Sequence, residues 1–505
     1  MKELGVNDIC YSTIKTSLEL LKITFSIPPE EYCNIGLTED FEYDIFRVIL
    51  KLNQDLFFYQ SDSSLQCDEQ LYFNLFAKND FNNISIESVF QIQCYYTSEL
   101  FNFLEQYHLD VLSKLLKYWK ITDYKQYILT IYSIFLHCFK QQQKYPYGYW
   151  LLDFDKIPFQ DGLFCLQVAN NLSIGINEII PHSSIDNNQR SDNTDYRIFR
   201  SRPLIHLSEN KYYVCNLQLL LERTYNSLFF DLKNILKDNS FGEFFNKQFV
   251  EHSLFRHTME LCSNKNDYIF PTRQIIESSN IKEFSNQPDF YIRRGGNLTL
   301  FECKAFKLNG SLKDNAEVQE FLRELKLKIY ESTENIDKSR KSKNKSEPVG
   351  VTQLVAEIEK IEDNNFPFDS KIPDDVKYYP IIVLEDPRFI QPGLISIVNR
   401  WSKKLLAEKL KDAAYYPIIV TSIDVLFLYR ETFRKLGFPK IIDHFIQSKA
   451  KLNENKVDWE VNPMADFNDF VKSKYKMDQE KNKKWLECYK KDILTNIYIV
   501  QNDMT

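Results

Sequence analysis

Glycine is scarce in this chain: 12 of 505 residues, well under the ~7% of ordinary usage. A nucleotide-binding protein assembled from several glycine-rich phosphate loops is therefore not expected. Clustered cysteine is missing too. The ten cysteines are spread from Cys10 to Cys488, and no two form a C-x-x-C pair, which removes the usual ligand set of a structural zinc site. Cys138 and Cys165 stand inside apolar stretches, as buried free thiols do, so reduced cysteines are expected. No run of about 18 apolar residues offers a membrane span, and residues 1–8 lack the basic-then-apolar pattern of an export signal. These absences predict a cytoplasmic protein with no membrane partner. Nor is positive charge in excess: 63 Lys and Arg stand against 70 Asp and Glu, for a net charge of −7. Such a chain cannot coat nucleic acid by bulk charge and would need a local basic face.

What is present is ample core material. Apolar residues make up 44% of the chain, with 39 Phe and 30 Tyr, which excludes wholesale disorder and leaves room for two or three domains. The first 140 or so residues predict helices. Leu112, Leu115, Leu116 and Trp119 form one apolar stripe; Tyr127, Ile128, Ile131, Ile134, Phe135 and Cys138 form another, with Thr122 and Asp123 as the N-cap ahead of it. These stripes predict bundle core and carry no catalytic constellation. Packing, partner binding and target recognition all stay open for this region. The polar run 183–195 reads as a linker. The expected organisation is thus a mostly helical domain over 1–183, a linker over 184–200, and an α+β or α/β domain over 201–505 ending in a basic helical extension. Residues 202–206 and 211–215 read as short strands. Helices fit 217–236 and 241–261. Residues 379–384 and 416–421 are near-continuous apolar runs, as in strands buried on both faces, with a helix between them over about 395–412.

The stretch that carries chemistry is QPDFYIRRGGNLTLFECKAF, residues 287–306. Strand formers flank the turn signal Arg294–Asn297, so a β-hairpin is predicted. Alternation puts Glu302 and Lys304 on one face, about 7 Å apart along the strand. Asp289 opens the neighbouring strand and can approach Glu302. Two carboxylates so held repel each other, and a divalent cation resolves the repulsion; hard oxygen ligands suit Mg²⁺ or Mn²⁺. Lys304 beside them brings positive charge suited to a phosphoryl transition state. Two decoys exist: Pro373 and Asp374 precede a strand that ends at Glu385 with Pro387 where a lysine is needed, and Glu324 and Lys326 lie in a helical pattern.

Pro288, Asp289, Glu302, Cys303 and Lys304 resemble the PD-(D/E)xK, or restriction-endonuclease-like, nuclease superfamily, over about residues 240–430. The resemblance implies a mixed-sheet core flanked by helices, metal held by Asp289, Glu302 and the backbone carbonyl of Cys303, and a water positioned or activated by Lys304. It also implies a helix-borne acid at the metal, for which Glu243 is the first candidate and Glu251 the second; the other reading of Glu243 is an exposed first-turn acid. Gln353, at a helix start after the catalytic strand, is similar to a fourth motif bordering the active site, or is a solvent-facing amide. Lys338, Arg340, Lys341, Lys343 and Lys345 could contact phosphates or form a solvated loop. Lys472, Lys474, Lys476, Lys481, Lys483 and Lys484 make a second basic stretch, with Trp485 and Tyr489 as stacking or core groups. His252 and His257, five apart, read as structural or surface residues. The expected function is an Mg²⁺- or Mn²⁺-dependent nuclease acting on DNA, by analogy in bacterial restriction or antiviral defence. The rivals are the same chemistry on RNA, a non-catalytic nucleic-acid-binding or scaffolding module, and a helical interaction protein in which 289–304 is an incidental hairpin. A second copy or a partner protein would bind through the N-terminal helices.

Overall fold

The computed structural model describes residues 14–26, 39–56, 64–78, 85–144, 150–157, 162–176, 178–179, 196–236, 240–270, 288–307, 318–330, 349–366, 368–410, 413–452 and 459–494. The protein is mixed α/β, with a largely helical N-terminal half and sheets of four and six strands among later helices. The chain divides into two compact units: residues 1–60, 83–236 and 485–505 form the first, and residues 61–82 and 237–484 the second. This division differs from the one expected at 184–200. Of that linker, residues 184–195 lie outside the described residues.

The first unit is built on helices α1 (Ile86–Tyr107), α2 (Leu109–Trp119) and α3 (Tyr124–Lys144). Their starts follow from side-chain caps: the Ser85 hydroxyl accepts from the Ser88 N–H at 3.2 Å, and the Asp123 carboxylate accepts from the Lys125 N–H at 2.8 Å. Both apolar stripes face inward, although Leu116 is only half-buried. Trp119 stacks on Tyr127 at 4.1 Å and Phe101 on Tyr124 at 4.2 Å. A four-stranded sheet follows, with β1 (Leu151–Asp153), β2 (Ser173–Gly175), β3 (Leu204–Ser208) and β4 (Lys211–Val214) in the order β1-β4-β3-β2. Two of its strands precede the polar run and two follow it, so that run interrupts one sheet. The predicted helix over 217–236 is two helices, Leu217–Glu222 and Leu228–Leu236. Asn216 caps the first by accepting from the N–H groups of Gln218 and Leu219 at 2.8 and 3.2 Å.

The second unit centres on the six-stranded sheet. Its strands are β5 (Tyr268–Phe270), β6 (Phe290–Arg294), β7 (Asn297–Lys304), β8 (Lys377–Leu384), β9 (Ala414–Tyr415) and β10 (Ile419–Ser422). The order is β10-β8-β7-β6-β5, with β9 also on β8. Strands β5, β6 and β7 pair antiparallel, while β7, β8 and β10 run parallel. Helices α4 (Val318–Ile329), α5 (Val351–Glu362) and α6 (Leu394–Lys409) lie in the crossovers that parallel pairing requires. Strand β7 is buried along Leu298–Cys303, and Phe301 meets Phe255, Phe290 and Phe438 edge-on or tilted at 4.9–6.4 Å. Asn399 on α6 fixes the start of β10: its side chain accepts from the Ile418 N–H at 2.9 Å and donates to the Ile418 carbonyl at 2.8 Å. The helix Cys67–Lys78 also belongs here. Tyr72 donates to the Phe389 carbonyl at 3.1 Å, and Asp68 binds Ser396 and Arg400 at 2.9 Å each.

The segment 241–261 is helical as the sequence predicts, yet residues Glu243–Phe255 adopt a π-helix, with α-helical geometry returning at Arg256–Cys262. An i→i+5 ladder places residues five apart near one another along the helix, where an α-helix sets them on different faces. No described helix is long and apolar enough to cross a membrane.

Candidate active site

The β6–β7 hairpin has Phe290 opposite Phe301. One step beyond, at the open end of the hairpin, Asp289 lies beside Glu302 and Cys303. Its Oδ2 accepts from the Cys303 N–H at 2.8 Å. Glu302 is 1% exposed. One of its oxygens, Oε1, accepts from the Lys304 ammonium, and the other, Oε2, has no hydrogen-bond partner among the described residues. Asp289 is 9% exposed, and the Lys304 side chain keeps 17% exposure. The register on the other side sets Lys304 against Leu384 of β8, and the Glu385 N–H closes on the Lys304 carbonyl at 3.1 Å. The cluster therefore sits at the carboxyl ends of parallel strands, where open α/β sheets bind their ligands.

Electrostatics agree with the geometry. Burial pushes the Glu302 carboxyl well above its ordinary range, and Asp289 adds to the push while Lys304 opposes it. Burial works against the Lys304 charge, but the carboxylates of Glu302, Asp289 and Glu251 outweigh it and hold the ammonium above the usual lysine value. Burial, with the Glu251 and Asp289 charges, keeps the Cys303 thiol protonated.

Of the two helix-borne acids, Glu251 is the one that interacts with this cluster. Burial and then Asp289 raise its pKa to about 8, while Lys304, Lys247 and Arg256 pull it down. Glu243 lies exposed in the first turn and faces Lys247 at 3.8 Å, which is the first-turn reading of that residue. Gln353 is half-buried in the first turn of α5, a helix that packs on β7 and β8. Lys338, Arg340, Lys341, Lys343 and Lys345 lie outside the described residues. In the C-terminal basic stretch three lysines are matched by acids: Lys472 by Asp469 at 3.1 Å, Lys484 by Glu480 at 3.0 Å and Lys481 by Glu431. Tyr489 is buried, stacked on Trp485 at 5.5 Å.

One group escaped sequence reasoning: Arg256 is 3% exposed, and the Asp289 and Glu251 charges favour its own. His252, expected as a structural or surface residue, is held neutral, its pKa lowered to about 3 by burial, Arg256 and Lys247. On the adjacent strand end, Lys307 bridges Glu385 and Asp386 at 2.9 and 3.0 Å, and Arg388 closes on Asp386 at 2.7 Å. The decoy acid Glu385 is thus neutralised by a salt bridge.

The donor set fits a hard dication in two respects: Asp289 and Glu302 are oxygen ligands, and Glu302 Oε2 is buried without a partner. Among the described residues no group of three or more His, Cys, Asp or Glu forms a metal-ligand cluster. A cation here would thus take one or two carboxylates and complete its shell with water and phosphate, as Mg²⁺ commonly does. No protein-family model, curated protein or solved structure matches the chain.

Proposed function

We propose that the chain is a metal-dependent nuclease of the PD-(D/E)xK kind, hydrolysing phosphodiester bonds in DNA. The observation that carries the reading is Glu302: a carboxylate buried at a sheet's end, with one oxygen on Lys304 and the other unpartnered, beside Asp289. Glu357 also leaves a buried oxygen unpartnered among the described residues, beside Lys360; what distinguishes Glu302 is the second carboxylate, Asp289, next to it at the sheet's end. An incidental hairpin would carry its acids to solvent. The order of the larger sheet, an antiparallel hairpin followed by two parallel strands, is compatible with the mixed core that the resemblance implies.

Asp289 and Glu302 would hold Mg²⁺ or Mn²⁺, helped by the backbone carbonyl of Cys303, which lies between Glu302 and Lys304 in the chain. Bound there, the cation supplies Lewis-acid polarisation of the phosphoryl group and a more acidic water. Lys304 orients that water or stabilises the charge that develops on the phosphoryl oxygens. For this it must part from Glu302, and neutralisation of the carboxylates by a cation favours that parting. The test is digestion of double-stranded DNA and of RNA by the full chain in Mg²⁺, in Mn²⁺ and in EDTA, with Glu302→Gln and Lys304→Met as controls. Metal-dependent cleavage of DNA that both substitutions abolish is the expected result. Cleavage that survives in either variant removes the assignment, and cleavage of RNA alone moves it to the other polymer.

A further inference from the structure

Beside the candidate active site, the carboxyl ends of β7 and β8 carry two further cations. Lys307 stands three residues past Lys304, and Arg388 stands in the turn that follows β8. Three residues span at most about 11 Å, or about three phosphates at the ~3.4 Å axial spacing of one DNA strand. Lys307 donates to Glu385 Oε2 at 2.9 Å and to Asp386 Oδ2 at 3.0 Å. Arg388 donates to the Asp386 carboxylate from Nε at 2.9 Å and Nη2 at 2.7 Å, and its backbone N–H adds a bond at 3.1 Å. Both cations thus meet at one oxygen, Asp386 Oδ2, which puts their nitrogens within about 6 Å of each other. The acids are sunk and the cations are not: Glu385 and Asp386 are 4% and 5% exposed, whereas the Lys307 and Arg388 side chains keep 26% and 30%. Burial works against the Lys307 charge, but Asp386 and Glu385 outweigh it and hold the ammonium above the usual lysine value. Arg400 also lies part-exposed over a buried acid, Asp68, so such a pair is not by itself a binding site. Number and place set this cluster apart. Two cations share one oxygen, and the Glu385 N–H ties their strand end to the Lys304 carbonyl at 3.1 Å.

We propose that Lys307 and Arg388 form a phosphate clamp, a second binding site that takes a backbone phosphate of the nucleic-acid strand flanking the one cleaved. The inference rests on the nuclease reading above and names how that site holds its substrate. Guanidinium and ammonium groups both pair with phosphate oxygens through charge-assisted hydrogen bonds. The buried acids fix the two cations in advance, so less side-chain freedom is lost when a phosphate arrives. Such contacts set the register of the strand and carry no sequence preference.

The experiment reads binding by the full chain in EDTA, so that neither metal nor cleavage enters. Fluorescence anisotropy follows a short labelled DNA duplex, and an RNA duplex of the same sequence, at NaCl from about 50 to about 300 mM. Arg388→Gln should weaken binding about fivefold at about 100 mM salt and make the slope of log K against log salt shallower by about one. Lys307→Gln combined with Asp386→Asn leaves the net charge unchanged and removes an acid along with its cation; it should have the same effect. Arg400→Gln deletes the same charge as R388Q about 9 Å along α6 from its start, and should leave the slope within about 0.3. A slope that R388Q and K307Q/D386N leave as it was, or that R400Q lowers equally, overturns the clamp, and so does a natural protein that binds neither duplex. A shift seen with RNA alone supports the clamp and assigns its phosphate to RNA. Should R388Q not fold, the charge-balanced pair decides; if neither folds, the cluster is a structural lock and the clamp falls. The nuclease reading is judged separately by the metal-dependent digestion above. A protein that binds DNA through these cations and cleaves nothing keeps the clamp and loses the nuclease.

Discussion

Replacing Lys304 with methionine separates the electrostatics of the site from its chemistry. The substitution keeps the aliphatic stem and deletes the ammonium that Glu302 Oε1 binds. Glu302, 1% exposed and already without a partner at Oε2, then has none at either oxygen. Stranding one member of a buried pair costs about 3–5 kcal/mol if the survivor stays charged. Glu302 need not stay charged, because burial and Asp289 already raise its pKa well above the ordinary value, and loss of Lys304 raises it further. The folded protein then carries a proton that the unfolded chain releases above about pH 4.3. Its stability accordingly falls as pH climbs toward the folded-state value. The expected penalty of K304M is about 1–2 kcal/mol at pH 6 and about 3 kcal/mol or more at pH 9. Urea unfolding of the full chain in EDTA at those two pH values reads it directly. Adding Glu302→Gln should return more than half of the loss at pH 9. A penalty that is flat with pH, or a double variant whose losses simply add, refutes the buried-pair argument.

The metal-free natural protein should itself lose stability between about pH 4.5 and about 8, because the folded-state value of Glu251 is raised to about 8 and protons bound in that window favour the fold. Denaturation midpoints across that range in E251Q should show a flatter slope, and saturating Mn²⁺ should flatten the natural protein's slope as well. Glu243→Gln should leave Mn²⁺ affinity within about twofold, since that carboxylate is exposed and paired with Lys247; E251Q, which removes a neighbouring charge and not a ligand, should weaken it by about threefold, and equal effects in direct Mn²⁺ titrations would argue against an influence of Glu251 on the site. Gly350→Ala puts a Cβ 2.2 Å from the Ile329 carbonyl oxygen at φ +54°, so it should cost at least about 1–3 kcal/mol in urea unfolding. Gly162→Ala, whose Cβ meets nothing within 4 Å among the described residues, should be near neutral in the same assay.

Legibility in the sequence followed the period of the pattern. Period two on β7 placed Glu302 and Lys304 on one face, and the glycine pair at 295–296 marked the hairpin. The buried strands β8 and β10 stood out as apolar runs, and the helix expected near 395–412 is Leu394–Lys409. Each of these depends on contacts close in sequence or on burial of both faces. The helix-borne acid was harder, because a wheel drawn at 3.6 residues per turn gives the wrong phase for Glu251 along the π-helix Glu243–Phe255. The unit boundaries were obscured for a related reason. A polar run normally separates domains, yet 183–195 interrupts one four-stranded sheet whose β1 and β2 are three residues each, too short to announce themselves.

The helix Cys67–Lys78 has a consequence for synthesis and dissection. Its Tyr72 and Asp68 hold Phe389, Ser396 and Arg400, while the chain on either side of 61–82 is assigned to the first unit, which in turn takes residues from 485 onward. A clone begun anywhere between 83 and 237 would omit a piece of the sheet's own scaffold, and one stopped before 485 would take a strip from the helical unit. Neither unit can finish assembling on the ribosome until residue 484 or beyond has been made, so a nascent chain must keep this helix waiting for partners made more than 300 residues later.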